Sequence, residues 1–213
     1  LTAIRLALDW WIAQDPICVN WWFNNIGVPT SIGGVAILLN NSELNGSEET
    51  GIRKIMNRAS VSSMTGENLV WTASVQVEYG IRENNSTRVS WAYGLIWSTL
   101  VVTTKSLEGI KSDGIFMQHG MQPYSGGYGD GFISDVTAAV FRTSGTSFYL
   151  SQAQRGALST VVDGDYWMFV HREGTTSSLW DISVKGREIT RKGATAVRSE
   201  ERRVGKEWRS RWS

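Results

Sequence analysis

The chain of 213 residues contains one cysteine, three prolines and two histidines. A single cysteine, Cys18, excludes a framework of internal disulfides. No run of about 18 apolar residues occurs, so the sequence predicts no transmembrane helix. We expect no metal site, because there is no cluster of Cys and His residues. We also expect no cofactor, because no glycine loop ends in the Lys-Ser/Thr pair of a phosphate-binding loop.

The net charge of +1 depends on the C-terminal segment 198–213. That segment carries six Lys/Arg and three Glu, and without it the chain has 15 basic and 17 acidic residues. A basic tail can indicate a nucleic-acid or membrane arm, but this segment resembles the translated read-through of a sequencing adapter. We therefore expect residues 198–213 not to be native and residues 1–197 to form the folded domain. Neither a nucleic acid nor a membrane is predicted as a partner.

Apolar residues recur at helical spacing along most of the chain. This spacing predicts helices at 2–14, 29–39, 47–56, 65–81, 89–102, 130–141 and 148–161. The segment 89–102 is rich in β-branched residues, so a strand is the alternative there. Residues 20–29 are predicted as a loop or short turn, 105–129 as a long loop, and the chain after 166 as irregular. Short polar turns between helices favour an all-α chain of antiparallel helical hairpins.

The segment 117–129 has the most unusual composition. His119 lies nine residues before Tyr128, among several glycines. Glycine allows the backbone to pass close to a ligand, and His and Tyr are proton-transfer side chains. The segment is therefore a candidate site, although a surface histidine and a packed tyrosine are the common alternatives. The other histidine, His171, has no such surroundings.

Four segments, taken in order, resemble polysaccharide lyase family 8, which comprises hyaluronate, chondroitin AC and xanthan lyases. They are Asn20-Trp21-Trp22 with Ile26 to Pro29, Thr65 to Asn68, Gln118 to Gly129, and Gly186 to Arg191. The resemblance runs from about Asp9 to Arg191. It implies an incomplete (α/α) toroid and a β-elimination, in which the C5 proton of a uronic acid is removed and the oxygen at C4 leaves.

The resemblance also implies a role for each matching residue. Asn68 would neutralise the uronate carboxylate through its amide, with a helix N-cap as the alternative. Tyr128 would transfer the proton, and His119 would bind the carboxylate or share the role of base. Arg187 and Arg191 would favour the phenolate of Tyr128. They would share one face if the segment is helical, with a solvated charged face as the alternative.

The same resemblance implies a sugar-binding patch near the N-terminus. Trp21 and Trp22 would stack on sugar rings, and core packing is the alternative. Asn20 and Asn24 would bind sugar hydroxyls. Phe23 stands where some members of the family carry a polar residue.

Two other functions are compatible with the sequence. An inverting glycoside hydrolase needs two carboxylates about 6.5–9.5 Å apart, and Asp113 and Asp130 flank the long loop. A non-catalytic module that binds acidic polysaccharide through the tryptophans is the second alternative.

The resemblance implies a secreted, monomeric protein that acts on an acidic polysaccharide. Asn-x-Ser/Thr sequons at Asn40, Asn45, Asn84 and Asn85 permit secretion. The chain begins without methionine, and relatives carry further helices before it and a β-sandwich after it. We therefore expect a fragment with little activity of its own.

Overall fold

The structure is a computed structural model that describes residues 2–39, 44–104, 107–171 and 178–188. Helices dominate these residues, as the predicted all-α class requires. The α-helices are α1 (Thr2–Gln14), α2 (Val28–Leu38), α3 (Gly46–Met56), α4 (Gly66–Arg82), α5 (Ser86–Ser98), α6 (Asp130–Thr143) and α7 (Gln152–Tyr166). The short elements are π-helices at Phe23–Gly27 and Ser125–Gly129, a 3-10 helix at Ile182–Val184, and strands β1 (Gly109–Ile110), β2 (Phe116–Gln118), β3 (Gln122–Pro123), β4 (Phe169–His171) and β5 (Ser178–Trp180).

Most of the predicted helices are confirmed. The helix α5 excludes the strand alternative over 89–98, whereas Val102 forms an isolated β-bridge with Ile110. The helix α7 begins later than predicted, at Gln152, because Ser151 forms a capping box there. The Ser151 hydroxyl accepts the Gln154 N–H at 3.4 Å, and the Gln154 side chain accepts the Ser151 N–H at 2.7 Å.

Two segments predicted to lack regular structure are partly regular. The long loop 105–129 contains a three-stranded antiparallel sheet in the order β1-β2-β3, followed by a π-helix. The chain after 166 contains the hairpin of β4 and β5. Strands of two or three residues are too short to show alternating polarity, so the sequence pattern does not reveal them.

The predicted loop at 20–29 is also wrong in part. A π-helix at Phe23–Gly27 runs directly into α2. Pro29 lies in the first turn of α2, where the fixed φ of proline suits a helix.

The chain forms two compact units. The first comprises Leu1–Met64 and Trp71–Ile96, and the second comprises Thr65–Val70 and Trp97–Ser213. The start of α4, up to Val70, therefore belongs to the second unit, and the rest of the helix belongs to the first.

Apolar side chains from α1 to α4 form the core of the first unit. The buried members are Leu8, Ile32, Ala36, Leu39, Ile52, Ile55, Met56, Ala59, Val75 and Tyr79. The helices α1 and α3 approach closely at Gly51, where a Cβ atom would lie 2.3 Å from Ile12 Cγ2. Buried Arg82 donates to the Ala36 carbonyl at 2.7 Å, and so satisfies an acceptor in the last turn of α2.

Aromatic contacts organise the second unit. The rings of Phe116 on β2 and Phe132 on α6 are both fully buried, with centroids 4.6 Å apart. Trp180 on β5 is also fully buried, with its ring 4.3 Å from that of Phe169. Gly126 packs on Trp180, because a Cβ there would lie 2.8 Å from the indole. Among the described residues, no helix is both long and apolar enough to cross a membrane.

The N-terminus of α3 provides a stability test. Asn45 accepts the N–H groups of Ser47 and Glu48, each at 3.0 Å, and the Glu48 carboxylate accepts the Asn45 N–H at 2.6 Å. We expect Asn45→Ala to lower the free energy of unfolding by about 1 kcal/mol, since it leaves these donors without the cap. Urea unfolding measures this change. Asn45→Ser is the control, because serine also caps well; equal losses in both variants would contradict the assignment.

Candidate active site

The structure places four of the predicted catalytic residues in the second unit. Asn68 is in the first turn of α4, His119 follows β2, Tyr128 lies in the π-helix Ser125–Gly129, and Arg187 follows the 3-10 helix. His119 contacts both Tyr128 and Arg187. Arg191 lies outside the described residues.

Asn68 is a buried residue of the first turn of α4 and not its N-cap. The helix begins at Gly66, so Asn68 is its third residue, with 8% of its surface exposed. This position places the amide close to the positive end of the helix dipole. The helix end is thus suited to an anionic group, as the prediction for Asn68 requires.

The side chain of Gln118 connects β2 to the start of α4. Its Oε1 accepts the Glu67 N–H at 3.1 Å, and the residue is 1% exposed. Gly66 has a φ of +53°, and a Cβ there would lie 2.2 Å from Gln118 Oε1. Only glycine tolerates both the positive φ and the close approach of the Gln118 side chain. The structure therefore explains why position 66 is a glycine.

His119 occupies the tip of the hairpin between β2 and β3. Its φ of +56° is in the left-handed region, and Gly120 follows with a φ of +83°. Its Nε2 lies 2.6 Å from an Nη of Arg187. A guanidinium can only donate, so Nε2 accepts and a neutral ring carries its proton on Nδ1.

The pKa of His119 lies below its usual value. Partial burial is the main cause, the Arg187 charge adds to it, and the Glu108 carboxylate opposes it. The imidazole is therefore neutral at neutral pH in the protein without substrate.

Tyr128 forms an edge-to-face cluster with two other rings. Its centroid lies 5.0 Å from that of His119 and 4.9 Å from that of Tyr124. The pKa of Tyr128 is raised, chiefly by burial and then by Tyr124, while Arg187 lowers it. The predicted phenolate is therefore not supported by the described residues: Arg187 acts in the expected direction, but burial is the larger effect.

Tyr124 has a structural role that the sequence did not reveal. It is 5% exposed, and its ring is held between two glycines. A Cβ on either Gly127 or Gly186 would lie 2.4 Å from a ring carbon. This packing joins the His119–Tyr128 loop to the segment that carries Arg187.

Arg187 projects from a tight turn. The Glu188 N–H donates to the Lys185 carbonyl at 3.2 Å, and the Lys185 ammonium lies 3.0 Å from the Glu188 carboxylate. Gly186 has a φ of +61°, which a turn at this position requires. The segment is therefore not helical at Arg187, so the condition under which Arg187 and Arg191 would share a helical face is not met there. The pairing of the two arginines stays a prediction.

Glu67 is a buried carboxyl group that sequence analysis overlooked. It is fully buried, and burial is the main cause that holds its pKa well above the usual range, with the neighbouring Asp135 carboxyl on α6 adding to it. The raised pKa favours the neutral form of Glu67, which adds no negative charge beside Asn68.

The predicted sugar-binding residues lie in the first unit. Trp21 is 47% exposed, whereas Trp22 is partly buried, with its ring 5.5 Å from that of Trp71. Exposed Asn20 accepts the Trp22 N–H at 3.0 Å. Asn24 uses both ends of its amide on the Cys18 backbone, at 2.8 and 2.7 Å. Trp21 thus presents a free aromatic face, while Asn24 stabilises the local backbone.

The two carboxylates of the hydrolase alternative have local structural roles. Exposed Asp113 accepts the Ile115 N–H at 3.1 Å within a turn. Asp130 is the first residue of α6, where its carboxylate interacts favourably with the helix dipole. Nothing in their surroundings singles them out as a catalytic pair.

Two solved structures of polysaccharide lyases share the fold of this chain. A Paenibacillus xanthan lyase matches with a TM-score of 0.69 and 27% identity, over 86% of this chain and 18% of that chain. A chondroitinase AC lyase, from a study of its oligosaccharide complexes, matches with a TM-score of 0.72 and 22% identity, over 85% and 26% of the two chains.

The chain belongs to polysaccharide lyase family 8, because the model of the family's N-terminal alpha-helical domain matches residues 1–208. Among curated relatives, the xanthan lyase of Bacillus sp. (strain GL1) is 24% identical over 192 residues, which are 87% of this chain and 20% of that protein. Chondroitinase-AC of Pedobacter heparinus is 24% identical over 204 residues, which are 94% and 28%. The predicted family and fold class are confirmed, and the chain spans less than a third of either relative.

The turn that carries Arg187 can be tested with two glycines. We expect Gly186→Ala to destabilise the protein by more than Gly145→Ala. Both positions have positive φ, but a Cβ at Gly145 meets nothing within 4 Å, whereas one at Gly186 meets the Tyr124 ring at 2.4 Å. The backbone cost alone is about 1–2 kcal/mol. Chemical unfolding gives both values, and equal losses would show that the Tyr124 contact is unimportant.

The effect of Arg187 on His119 can be measured directly. We expect Arg187→Met to raise the pKa of His119 towards its ordinary 6.5, because a nearby positive charge is removed. Arg187→Lys retains that charge and should leave the pKa lowered. An NMR titration of the imidazole reports the pKa, and a His171→Gln background assigns the remaining signal. The same His119 pKa in all three proteins would exclude the proposed interaction.

Proposed function

We propose that the protein is a polysaccharide lyase that cleaves a uronic-acid-containing polysaccharide by β-elimination. The observation that supports this most directly is the contact of His119 with Tyr128 and Arg187, in the unit that also holds Asn68. Proton-transfer groups and groups that bind a carboxylate thus occur in one unit of a chain that belongs to a lyase family.

The difficult step is the removal of the weakly acidic C5 proton. Asn68 and the start of α4 would donate to the uronate carboxylate, and Arg187 would offset its charge. As a base takes the C5 proton, the C–H electrons move into the neutralised carboxylate. Their return forms the C4–C5 double bond as the C4–O bond breaks, and the leaving oxygen receives a proton.

Tyr128 is the proposed proton-transfer residue. The Nε2 atom of His119 already accepts from Arg187, which reduces its availability as a base. The phenolate of Tyr128 would take the C5 proton, and the phenol so formed would return it to the leaving oxygen. Because the pKa of Tyr128 is raised, the phenol must first lose its proton to solvent, and Arg187 is a described cation that favours this ionisation.

Binding of the polymer would use the N-terminal aromatic residues. The exposed face of Trp21 is suited to stacking on a sugar ring, with Trp22 as its packed support. Asn20 is exposed and could bind a sugar hydroxyl, whereas Asn24 would act by shaping the loop. The relatives are a xanthan lyase, a chondroitinase and a hyaluronate lyase, so acidic polysaccharides are the proposed substrates. A secreted, monomeric protein is part of the proposal.

The reaction type has a distinctive product. We expect incubation with hyaluronan, chondroitin or xanthan to generate an unsaturated uronyl end, which is followed by its ultraviolet absorbance. Tyr128→Phe should lower this rate by at least about 100-fold, since general acid–base catalysis contributes on the order of 10²–10⁴. It should leave polysaccharide binding intact.

Tyr149→Phe is the matched control, because it removes a phenol that lies outside the ring cluster. New reducing ends without ultraviolet absorbance would instead indicate a hydrolase. Binding without any cleavage, also when this chain is part of a protein of its relatives' full length, would indicate a sugar-binding module.

A further inference from the structure

Glu108 connects three parts of the second unit that are distant in the sequence. Its Oε1 accepts the Gly120 N–H at 2.9 Å, and its Oε2 accepts from the Gln118 amide at 2.6 Å. The Thr65 hydroxyl also donates to Oε2. One carboxylate therefore contacts the hairpin that carries His119 and the residue that precedes α4.

Gln118 extends this connection to the start of α4. Its Nε2 donates to Glu108, while its Oε1 accepts the Glu67 N–H at 3.1 Å. Because Gln118 is buried, each of these bonds is costly to lose. Glu108 and Gln118 thus join the residue after His119 to the residue before Asn68.

We propose that Glu108 is a positioning residue that fixes the turn of His119 relative to the helix end that carries Asn68. Sequence resemblance does not assign this role to Glu108. The inference rests on the proposed function only for the importance of His119 and Asn68, since the positioning itself is a property of the protein without substrate.

The turn of His119 needs such support. His119 and the following Gly120 both have positive φ, and His119 is exposed. A non-glycine residue in this conformation is held there by its surroundings. The acceptor that Glu108 supplies to Gly120 is a direct support of this kind.

The chemistry of the network requires a carboxylate at position 108. Both oxygens of Glu108 face N–H donors, one from Gly120 and one from Gln118. A glutamine at this position would turn its NH₂ group towards one of these donors in either orientation. Although glutamine has nearly the same shape as glutamate, Glu108→Gln should therefore break one of the two hydrogen bonds that join residue 108 to Gly120 and Gln118.

An exchange of the two side chains provides a test by rescue. In Glu108→Gln/Gln118→Glu, the new amide at 108 can donate to the new carboxylate at 118. The amide oxygen at 108 can still accept from Gly120, and the carboxylate can still accept from Glu67. The double variant restores these hydrogen bonds, and only the bond between residues 108 and 118 is reversed in direction. It should therefore recover what each single variant loses.

The experiment measures amide hydrogen exchange of Gly120 and the NMR titration of His119 in the intact protein without substrate. Because the bond to buried Gln118 is the costlier one to lose, the new amide oxygen should stay on Gln118 and its NH₂ group should face Gly120. We therefore expect Glu108→Gln to accelerate Gly120 exchange by about tenfold or more. The pKa of His119 should also fall further, since the Glu108 carboxylate raises it. The double variant should return the exchange rate of Gly120 to within about threefold of the parent rate. That residual change is smaller than the loss of one hydrogen bond would cause.

Asp163→Asn is the control, because it removes an exposed carboxylate of the same unit on α7. It should change neither measurement. Unaltered Gly120 exchange in Glu108→Gln, or no recovery in the double variant, would overturn the positioning role. Because no substrate is involved, these results are independent of whether the protein proves to be a lyase.

Discussion

The site depends on the packing of one aromatic ring, that of Tyr124, between Gly127 and Gly186. Arg187 is 68 residues away from His119 in the sequence, yet the two side chains meet at 2.6 Å. Tyr124 makes this possible by holding the turn at Gly186 against the loop that carries Tyr128. The absence of a Cβ on both sides of the ring lets the two backbones approach, and the ring excludes water from the space between them.

Burial, more than ionic attraction, sets the protonation of the site. It lowers the pKa of His119, raises that of Tyr128, and keeps Glu67 neutral. The resting site thus has neutral His119, Tyr128 and Glu67 side chains beside two charges, those of Arg187 and the Glu108 carboxylate. An incoming carboxylate would meet Arg187 and several dipoles, and the neutral form of Glu67 would not repel it. Stabilisation by fixed dipoles in a partly dry site is an efficient way to favour the charge that develops during proton abstraction.

The helices were predictable because their apolar spacing persists over several turns, as in α1 and α4. The positions of Asn68, His119, Tyr128 and Arg187 were predictable from the order of motifs, although their roles stay predictions, as does Arg191. The strands β1 to β3 were missed because each has only two or three residues. The contact between Gln118 and Glu67 could not be predicted, because the two residues are 51 positions apart and local sequence patterns do not indicate long-range contacts.

The left-handed backbone of His119 affects how changes at this position should be interpreted. Histidine, asparagine and aspartate accept this conformation more readily than other non-glycine residues, and β-branched residues accept it poorly. An alanine or valine at position 119 would therefore remove the imidazole and strain the hairpin together. Asparagine removes the titrating ring while keeping the backbone preference, so it separates the chemical contribution of the histidine from its conformational one. The left-handed backbone thus limits which residues can occupy position 119, independently of whether their side chains can take part in proton transfer.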